Sequence, residues 1–412
     1  MKKRVVITGM GAITPIGNKV ETFWENAKNG VCGIDFIKGF DTENFKVKIA
    51  GEAKNFEASD YVEKKETKRM DRFCLFAMAA AKEAVLNSGL NLEVVDSERF
   101  GVIVGTGIGG IGTIEREHTK LMEKGPHRIS PMLIPMIIGN MAAGNIAIKY
   151  GAKGICTAVV TACATGTNAI GDAFRAIQGD LADVMICGGA EGAITPLAVA
   201  GFTSLTALSN SNDPLRASIP FDAERSGFVM GEGAGILIVE SLEHALKRGA
   251  KIIAEVVGYG STCDAYHMTS PAPNGEGGAR AMKLAIKEAG INPKNISYIN
   301  AHGTGTPYND KFETAAIKTV FGEYAYKIPI SSTKSMTGHL LGASGAIEAI
   351  ICAKSLIEGF ITPTIGYRVK DVECDLDYVP NIGHAGNLIY TLSNSLGFGG
   401  HNATIILKKW ME

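Results

Sequence analysis

The sequence predicts an α/β fold made of two similar halves. Three observations predict it. The chain has 412 residues, beyond the size at which one hydrophobic core usually stops growing. Short β-branched runs alternate with Ala-rich stretches of helical period, which implies α/β layers with mainly parallel, buried strands. The order of these runs also repeats along the chain.

The first element is Arg4-Val5-Val6-Ile7-Thr8-Gly9-Met10-Gly11. Its basic start superficially resembles a secretory signal. The apolar run breaks at Thr8-Gly9 and Pro15 follows, so a strand entering a Gly-rich turn is the better reading. Its counterpart is Lys251 to Gly260. Phe100 to Gly107 parallels Ile296 to Gly303, and Met185 to Gly189 parallels Ile389 to Asn394. The small-residue segment around Cys163 parallels the one around Lys334 and His339. Helices are expected over Ala77 to Ser88, Ala169 to Gln178, Leu242 to Lys247, Gly278 to Ala289 and Ala346 to Glu358. The halves are expected to meet near Arg248-Gly249, giving units 1–249 and 250–412 with a shared site at their junction.

Composition narrows the function. A net charge of −1 gives no global electrostatic reason to expect nucleic acid or an anionic membrane as partner. No window holds the 18 or more apolar residues of a membrane span. Glycine supplies 50 residues without a collagen period, which points to tight turns and close backbone approaches. None of the eight cysteines forms a C-x-x-C pair, so the chain reads as a reduced, cytosolic protein with mostly inert buried thiols.

Four segments carry chemistry. Thr161-Ala162-Cys163-Ala164-Thr165-Gly166-Thr167 leads from an apolar run into a helix of small residues. A cysteine at that N-terminus meets free N–H groups and the positive end of the helix dipole, which favour thiolate. A buried structural cysteine is the bland alternative. Asn300-Ala301-His302-Gly303-Thr304-Gly305-Thr306 places a histidine at the end of a buried strand, where sites collect in α/β folds. Lys334 and His339 lie five residues apart among small residues, and Glu348 follows in an apolar helix. A Lys and a Glu in such surroundings are rarely buried unless paired. Leu396-Gly397-Phe398-Gly399-Gly400-His401 reads either as a hairpin turn or as a mobile gate whose N–H groups complete an oxyanion hole.

Cysteine, histidine, lysine-plus-histidine and Gly-Phe-Gly-Gly, in this order and spacing, resemble the β-ketoacyl synthases of the thiolase superfamily from residue 4 to residue 408. Asp264-Ala265-Tyr266-His267-Met268-Thr269-Ser270-Pro271 and the Cys163 segment look more like the synthase II class of bacterial fatty acid synthesis than the synthase I class. The resemblance implies a thiolase-like five-layered αβαβα fold of two duplicated halves and a homodimer. It implies that Cys163 takes an acyl chain from the phosphopantetheine of acyl carrier protein, with no other cofactor required. The Cys163 and Phe398 N–H groups would form the oxyanion hole, and Phe398 would gate entry. His302 and His339 would hold a malonyl thioester and stabilise the enolate left by decarboxylation. Lys334 would act electrostatically, paired with Glu348, and Asp264, Thr269, Thr304 and Thr306 would support the site.

The resemblance further places Ile108 in the acyl pocket, and carrier-protein docking on Lys64, Lys65, Lys68, Arg69, Arg72 and Arg128. A solvated face is the plain alternative for that cluster. Thr206 stands where some relatives have a further basic residue, and Gly305 where many have serine. No catalytic metal is implied, though a structural monovalent cation is possible near Asn300, Glu348, Ser393 and Asn394.

Other readings fit less well. Gly105-Thr106-Gly107-Ile108-Gly109-Gly110 satisfies the dinucleotide pattern, but no second strand ending in Asp or Glu follows. A degradative thiolase would carry a second cysteine in the C-terminal Gly-rich loop, where this chain has Phe398 and His401. A third-type synthase would pair histidine with asparagine. A non-catalytic chain-length partner would lack Cys163. A polyketide ketosynthase shares the same motifs and stays open.

Overall fold

A computed structural model describes residues 2–411. Ten strands form its main sheet: β1 (Val5–Ile13), β2 (Phe100–Gly105), β3 (Cys156–Thr157), β4 (Val184–Glu191), β5 (Gly233–Ser241), β6 (Ala254–Cys263), β7 (Ile296–Asn300), β8 (Ile330–Ser331), β9 (Tyr390–Gly397) and β10 (His401–Lys409). Four helices carry the layers: α1 (Arg72–Ser88), α2 (Thr165–Gln178), α3 (Glu276–Ala289) and α4 (Ser344–Glu358).

The repeat read from the sequence is written into the sheet. Its order is β8-β7-β9-β10-β6-β1-β5-β4-β2-β3. Each half therefore has the same five-strand order, mirrored outward from the central β1–β6 seam. That seam is short and antiparallel, pairing Val5 with Val256, Val6 with Glu255 and Ile7 with Ala254.

The sheet is mixed, which corrects the expectation of mainly parallel strands. The β1–β5, β1–β6, β4–β5, β6–β10 and β9–β10 pairs are antiparallel. The β2–β3, β2–β4, β7–β8 and β7–β9 pairs are parallel. The physical reason is that the layers bury both faces of almost every strand. A doubly buried antiparallel strand then loses its polar alternation and looks like a parallel one.

Alternate side chains of one strand serve different cores. Leu237 and Val239 of β5 join a central core with α2 and α4, whereas Ile236 and Ile238 join an outer core with α1. A third core sets Ala279, Met282 and Ala285 of α3 against Ile296, Leu392 and Ile406. The layers thus run α1, sheet, α2 with α4, sheet, α3.

Strand β1 does not break at Thr8-Gly9 as expected but continues to Ile13. Its glycines are there for close approach. A Cβ at Gly11 would stand 1.9 Å from the Ala80 carbonyl oxygen, and one at Gly9 2.2 Å from that of Ala84. Helix α1 therefore lies nearly on the strand backbone. The two central helices cross in the same way: a Cβ on Gly166 would meet the Ala346 nitrogen at 2.7 Å, and one on Gly345 the Thr167 nitrogen at 2.7 Å. This crossing brings the N-termini of α2 and α4, and the residues just before them, to the junction of the halves.

Candidate active site

Residues from both halves line one cavity of about 530 Å³ at that junction, among them Cys163, His302, His339 and Phe398. Cys163 sits in the 3₁₀ turn Ala162–Ala164 that opens α2. The turn is strained at its first residue, since Ala162 has φ of 48°. The strain turns the thiol into the cavity, where the residue is 9% exposed. The backbone N–H groups of Phe398 and of Cys163 itself lie close enough to its sulfur to favour the thiolate. Gly397 makes this possible, because a Cβ there would lie 3.1 Å from the Cys163 nitrogen. Two N–H groups converging beside a nucleophile are the geometry of an oxyanion hole.

The expected thiolate is corrected. Burial pushes the Cys163 thiol up to about 12, and the negative charge of Glu191 adds to it. The positive charge of Lys334 and the two N–H groups oppose this without overcoming it. A sulfur buried this deeply loses more hydration than one helix end returns. The resting group is the thiol, so a base must take its proton.

Two neutral imidazoles share the cavity. His302 and His339 are each 2% exposed, with ring centroids 5.2 Å apart and planes nearly perpendicular. Burial and then the Lys334 charge hold both well below the usual histidine range. His339 Nδ1 lies 2.8 Å from the Ser344 hydroxyl, and its backbone N–H donates to Val229. Behind them Lys334 donates to Glu348, and both are 1% exposed. The pairing expected from their apolar surroundings is present. Burial lifts the Glu348 carboxyl to about 7 against the pull of Lys334.

The supporting residues fall into place around the cavity. Thr304 and Thr306 line it with their hydroxyls 2.9 Å apart. Asp264 accepts from Asn402 at 2.7 Å and from the Ala272 N–H at 2.9 Å. Its own N–H donates to Gly400, and the Gly399 N–H donates to Met268. Asp264 thereby ties the 264–272 segment, which includes Thr269, to the Gly-Phe-Gly-Gly loop. That loop is the hairpin between β9 and β10, closed by Gly397 opposite His401, and it also lines the cavity. Ile108 lines the cavity too, 38% exposed.

Lys64, Lys65, Lys68, Arg69 and Arg128 are exposed, and Lys65 pairs with Glu63. Arg72 is committed elsewhere: it clamps Glu232, with Nε at 2.7 Å, and lies over the Phe76 ring. Thr206 is exposed on the cavity lining. Of the eight cysteines, five are buried, while Cys156 and Cys263 are exposed and Cys32 is half-buried.

Among the buried oxygens without a hydrogen-bond partner in the described residues are Asn300 Oδ1, Glu348 Oε2 and Ser393 Oγ. Asn300 and Ser393 are direct neighbours across β7 and β9. Such oxygens suit a hard monovalent cation. The Asn394 side chain donates to Glu313 and accepts from Thr404.

Sequence reading missed two buried carboxylates. Glu313 accepts the N–H groups of His302 and Gly303, both at 2.8 Å, and burial lifts it to about 7. Glu191, at the end of β4, accepts from Thr106, Gly107, Ile108 and Gly342. The available signal was a single acid closing the apolar run Val184 to Ala190. Glu191 also disposes of the dinucleotide reading. Its carboxylate holds the N–H groups of Gly107 and Ile108 in the glycine-rich turn that would have to receive a phosphate.

Comparison with known proteins bears on the same residues. Residues 2–245 match the family described as Beta-ketoacyl synthase, N-terminal domain, and residues 253–368 match Beta-ketoacyl synthase, C-terminal domain. The chain is 56% identical over 408 residues to a 3-oxoacyl-[acyl-carrier-protein] synthase 2 of Staphylococcus aureus strain COL, covering 99% of each. It is 54% identical over 410 residues to the protein of the same name from Synechocystis, again covering 99% of each. Among solved structures, a ketosynthase in complex with its type II polyketide acyl carrier protein is 37% identical, with a TM-score of 0.93 over all of both chains. A beta-ketoacyl synthase from Burkholderia phymatum is 35% identical, with a TM-score of 0.92 over 99% of this chain and 100% of that one. The likeness is full-length in sequence and in fold, and the chain belongs to the beta-ketoacyl synthase family.

Proposed function

We propose that this protein elongates fatty acids as a 3-oxoacyl-[acyl-carrier-protein] synthase, condensing a Cys163-bound acyl chain with malonyl-acyl carrier protein. One observation carries the reading: a thiol, two converging N–H groups and two neutral imidazoles share a single buried cavity. The identity of 56% to synthase 2 relatives, against 37% to the polyketide ketosynthase, favours fatty acids over polyketides.

The acyl thioester carbonyl enters between the Cys163 and Phe398 N–H groups. The Cys163 sulfur attacks it, a neutral imidazole relays the thiol proton, and the carrier thiol departs with a proton. A malonyl thioester then binds with its carbonyl oxygen towards the imidazole N–H groups. When Ser344 donates to His339 Nδ1, the proton stands on Nε2, as a hydrogen-bond donor requires. Carbon dioxide leaves, and its bonding pair becomes an enolate held by these donors. The enolate carbon attacks the acyl carbonyl, and the sulfur leaves as thiolate to be reprotonated. The low basicity of both imidazoles matters here, because they stay neutral donors at physiological pH.

Acyl groups come on the phosphopantetheine of acyl carrier protein, and no further cofactor takes part. The exposed Lys64, Lys65, Lys68, Arg69 and Arg128 form the docking face for that acidic partner. A second copy of the chain pairs along edge strand β3, where Ile134, Ile138 and Val160 are exposed. Asn300, Glu348 and Ser393 would hold a monovalent cation, which would steady the histidine region electrostatically. Eight free thiols favour the reducing cytoplasm.

Intact-protein mass spectrometry tests the reaction. Acyl-acyl carrier protein adds one acyl group at Cys163, and malonyl-acyl carrier protein discharges it as a keto product two carbons longer. Cys163→Ala takes up no acyl group and loses turnover by more than about 10⁴-fold. An adduct that the malonyl donor cannot discharge would remove the condensing reading, and acylation of Cys163→Ala would remove the nucleophile assignment.

A further inference from the structure

Glu191 is fully buried and does not line the cavity, yet it holds two turns of the wall together. Its Oε1 accepts from the Thr106 hydroxyl at 2.8 Å and the Ile108 N–H at 3.2 Å. Its Oε2 accepts from the Gly107 N–H at 2.8 Å and the Gly342 N–H at 3.0 Å. Three of the four donors are backbone groups, which cannot reverse direction. Gly107 and Gly342 are shaped around it, since a Cβ on either would approach Oε2 within 2.7 or 2.9 Å. Gly107, Ile108 and Leu341 all line the cavity. The carboxylate thus fastens the Ile108 turn to the Leu341-Gly342 turn that follows His339.

We propose that Glu191 is a positioning residue that fixes Ile108 against the turn behind His339 and so sets which acyl chains Cys163 accepts. The proposal rests on the acyl-transfer reading of this cavity. A chain that reaches Ile108 meets a side chain whose backbone the four-donor clamp holds in place, so only rotation of that side chain is left to make room. A second effect follows from charge. The groups that bear on the Cys163 sulfur are Lys334, His302, His339, Glu191 and the N–H groups of Phe398 and Cys163. The imidazoles are neutral, so Glu191 is the negative member of the set and opposes thiolate, while Lys334 favours it.

The test uses the full-length chain with Glu191→Gln and Glu191→Asp. An amide keeps the Gly107 and Gly342 bonds only by turning its NH₂ onto the Ile108 N–H, so Glu191→Gln unclamps Ile108 specifically. Its ratio of long-chain to short-chain acylation of Cys163 shifts by about tenfold. Its iodoacetamide alkylation of Cys163 also moves to lower pH, because the negative charge that opposes thiolate is gone. Glu191→Asp keeps the charge while shortening the clamp, so it shifts the chain-length ratio and leaves the alkylation profile in place. Should Glu191→Gln fail to fold, Thr106→Val removes one donor and reads the chain-length ratio alone. Equal loss for all chain lengths with unmoved alkylation would overturn the proposal. A wild-type chain that alkylates at Cys163 but takes no acyl group would overturn the functional reading itself. An unshifted ratio in a normally acylating enzyme would overturn only the role of Glu191.

Discussion

Ala162-Cys163-Ala164 in the first half and Leu341-Gly342-Ala343 in the second adopt the same turn. Ala162 and Leu341 both have φ of 48°, and each turn is 3₁₀. The residues that follow match as well, Thr165 at φ −50°, ψ −51° and Ser344 at φ −52°, ψ −54°. Position for position, Cys163 corresponds to Gly342. The end of β9 crosses to the first turn, where Gly397 packs against the Cys163 nitrogen and the Phe398 N–H lies near the sulfur. The end of β4 crosses to the second, where Glu191 takes the Gly342 N–H. One duplicated backbone has become a reaction centre in one half and an internal clasp in the other. The burden of charge differs too: Lys334, Glu348, Glu313 and both histidines belong to the second half.

The largest effect expected from this asymmetry is on stability, in the second half. Lys334→Ala leaves Glu348 buried without its partner. Stranding one member of such a pair costs about 3–5 kcal/mol, read as a lower midpoint in chemical denaturation. A drop that appears only as pH rises above about 7 would mean that Glu348 takes up a proton in place of its partner.

The turns themselves give the next contrast. Gly342→Ala places a Cβ 2.4 Å from the Gly107 nitrogen and 2.9 Å from Glu191 Oε2. The overpacking costs about 1–3 kcal/mol. Cys163→Ala adds no atom and removes one sulfur that faces the cavity, so it abolishes turnover while its unfolding midpoint stays near wild type. Similar stability losses in both variants would show that the first turn is as much a clasp as the second.

The same asymmetry explains what the sequence showed. The repeat was legible because matching β-branched runs recur in the same order, and the sheet preserves that order. The four reactive segments were legible because each joins an unusual residue to glycines at a strand or helix end. Strand direction was not, since burial on both faces erases alternation in β5 and β10. Nor was the length of β1, because Gly9 and Gly11 signal a turn in the sequence but answer the approach of Ala80 and Ala84 in the fold. Glu191 and Glu313 stand alone in their segments. Their partners are backbone N–H groups, and those have no sequence signature. The thiol of Cys163 followed the same rule: the helix end was visible in sequence, but the depth of burial that outweighs it was not.

The smallest expected effect concerns pH, and it bears on the charged half. Burial first, and Lys334 second, hold His339 well below the ordinary histidine range. Its folded value therefore lies below its unfolded value. The resulting stability is present above about pH 6.5 and is lost as pH falls towards the folded value, because the unfolded chain then binds a proton that the native site refuses. Catalysis follows the same sign. Malonyl decarboxylation by Cys163→Ala, where no thiol titrates, should show no imidazole limb down to about pH 6.5; a step near pH 7 belongs to Glu313 and Glu348 and is removed in Glu313→Gln and Glu348→Gln. An acid limb centred on the ordinary histidine value would mean that the imidazole is hydrated and that the chamber is open at rest. Lys334→Ala removes the second cause of the depression, so its acid limb should move back up towards that value. If it does not, burial alone sets the imidazole, and the lysine serves Glu348 rather than the histidines.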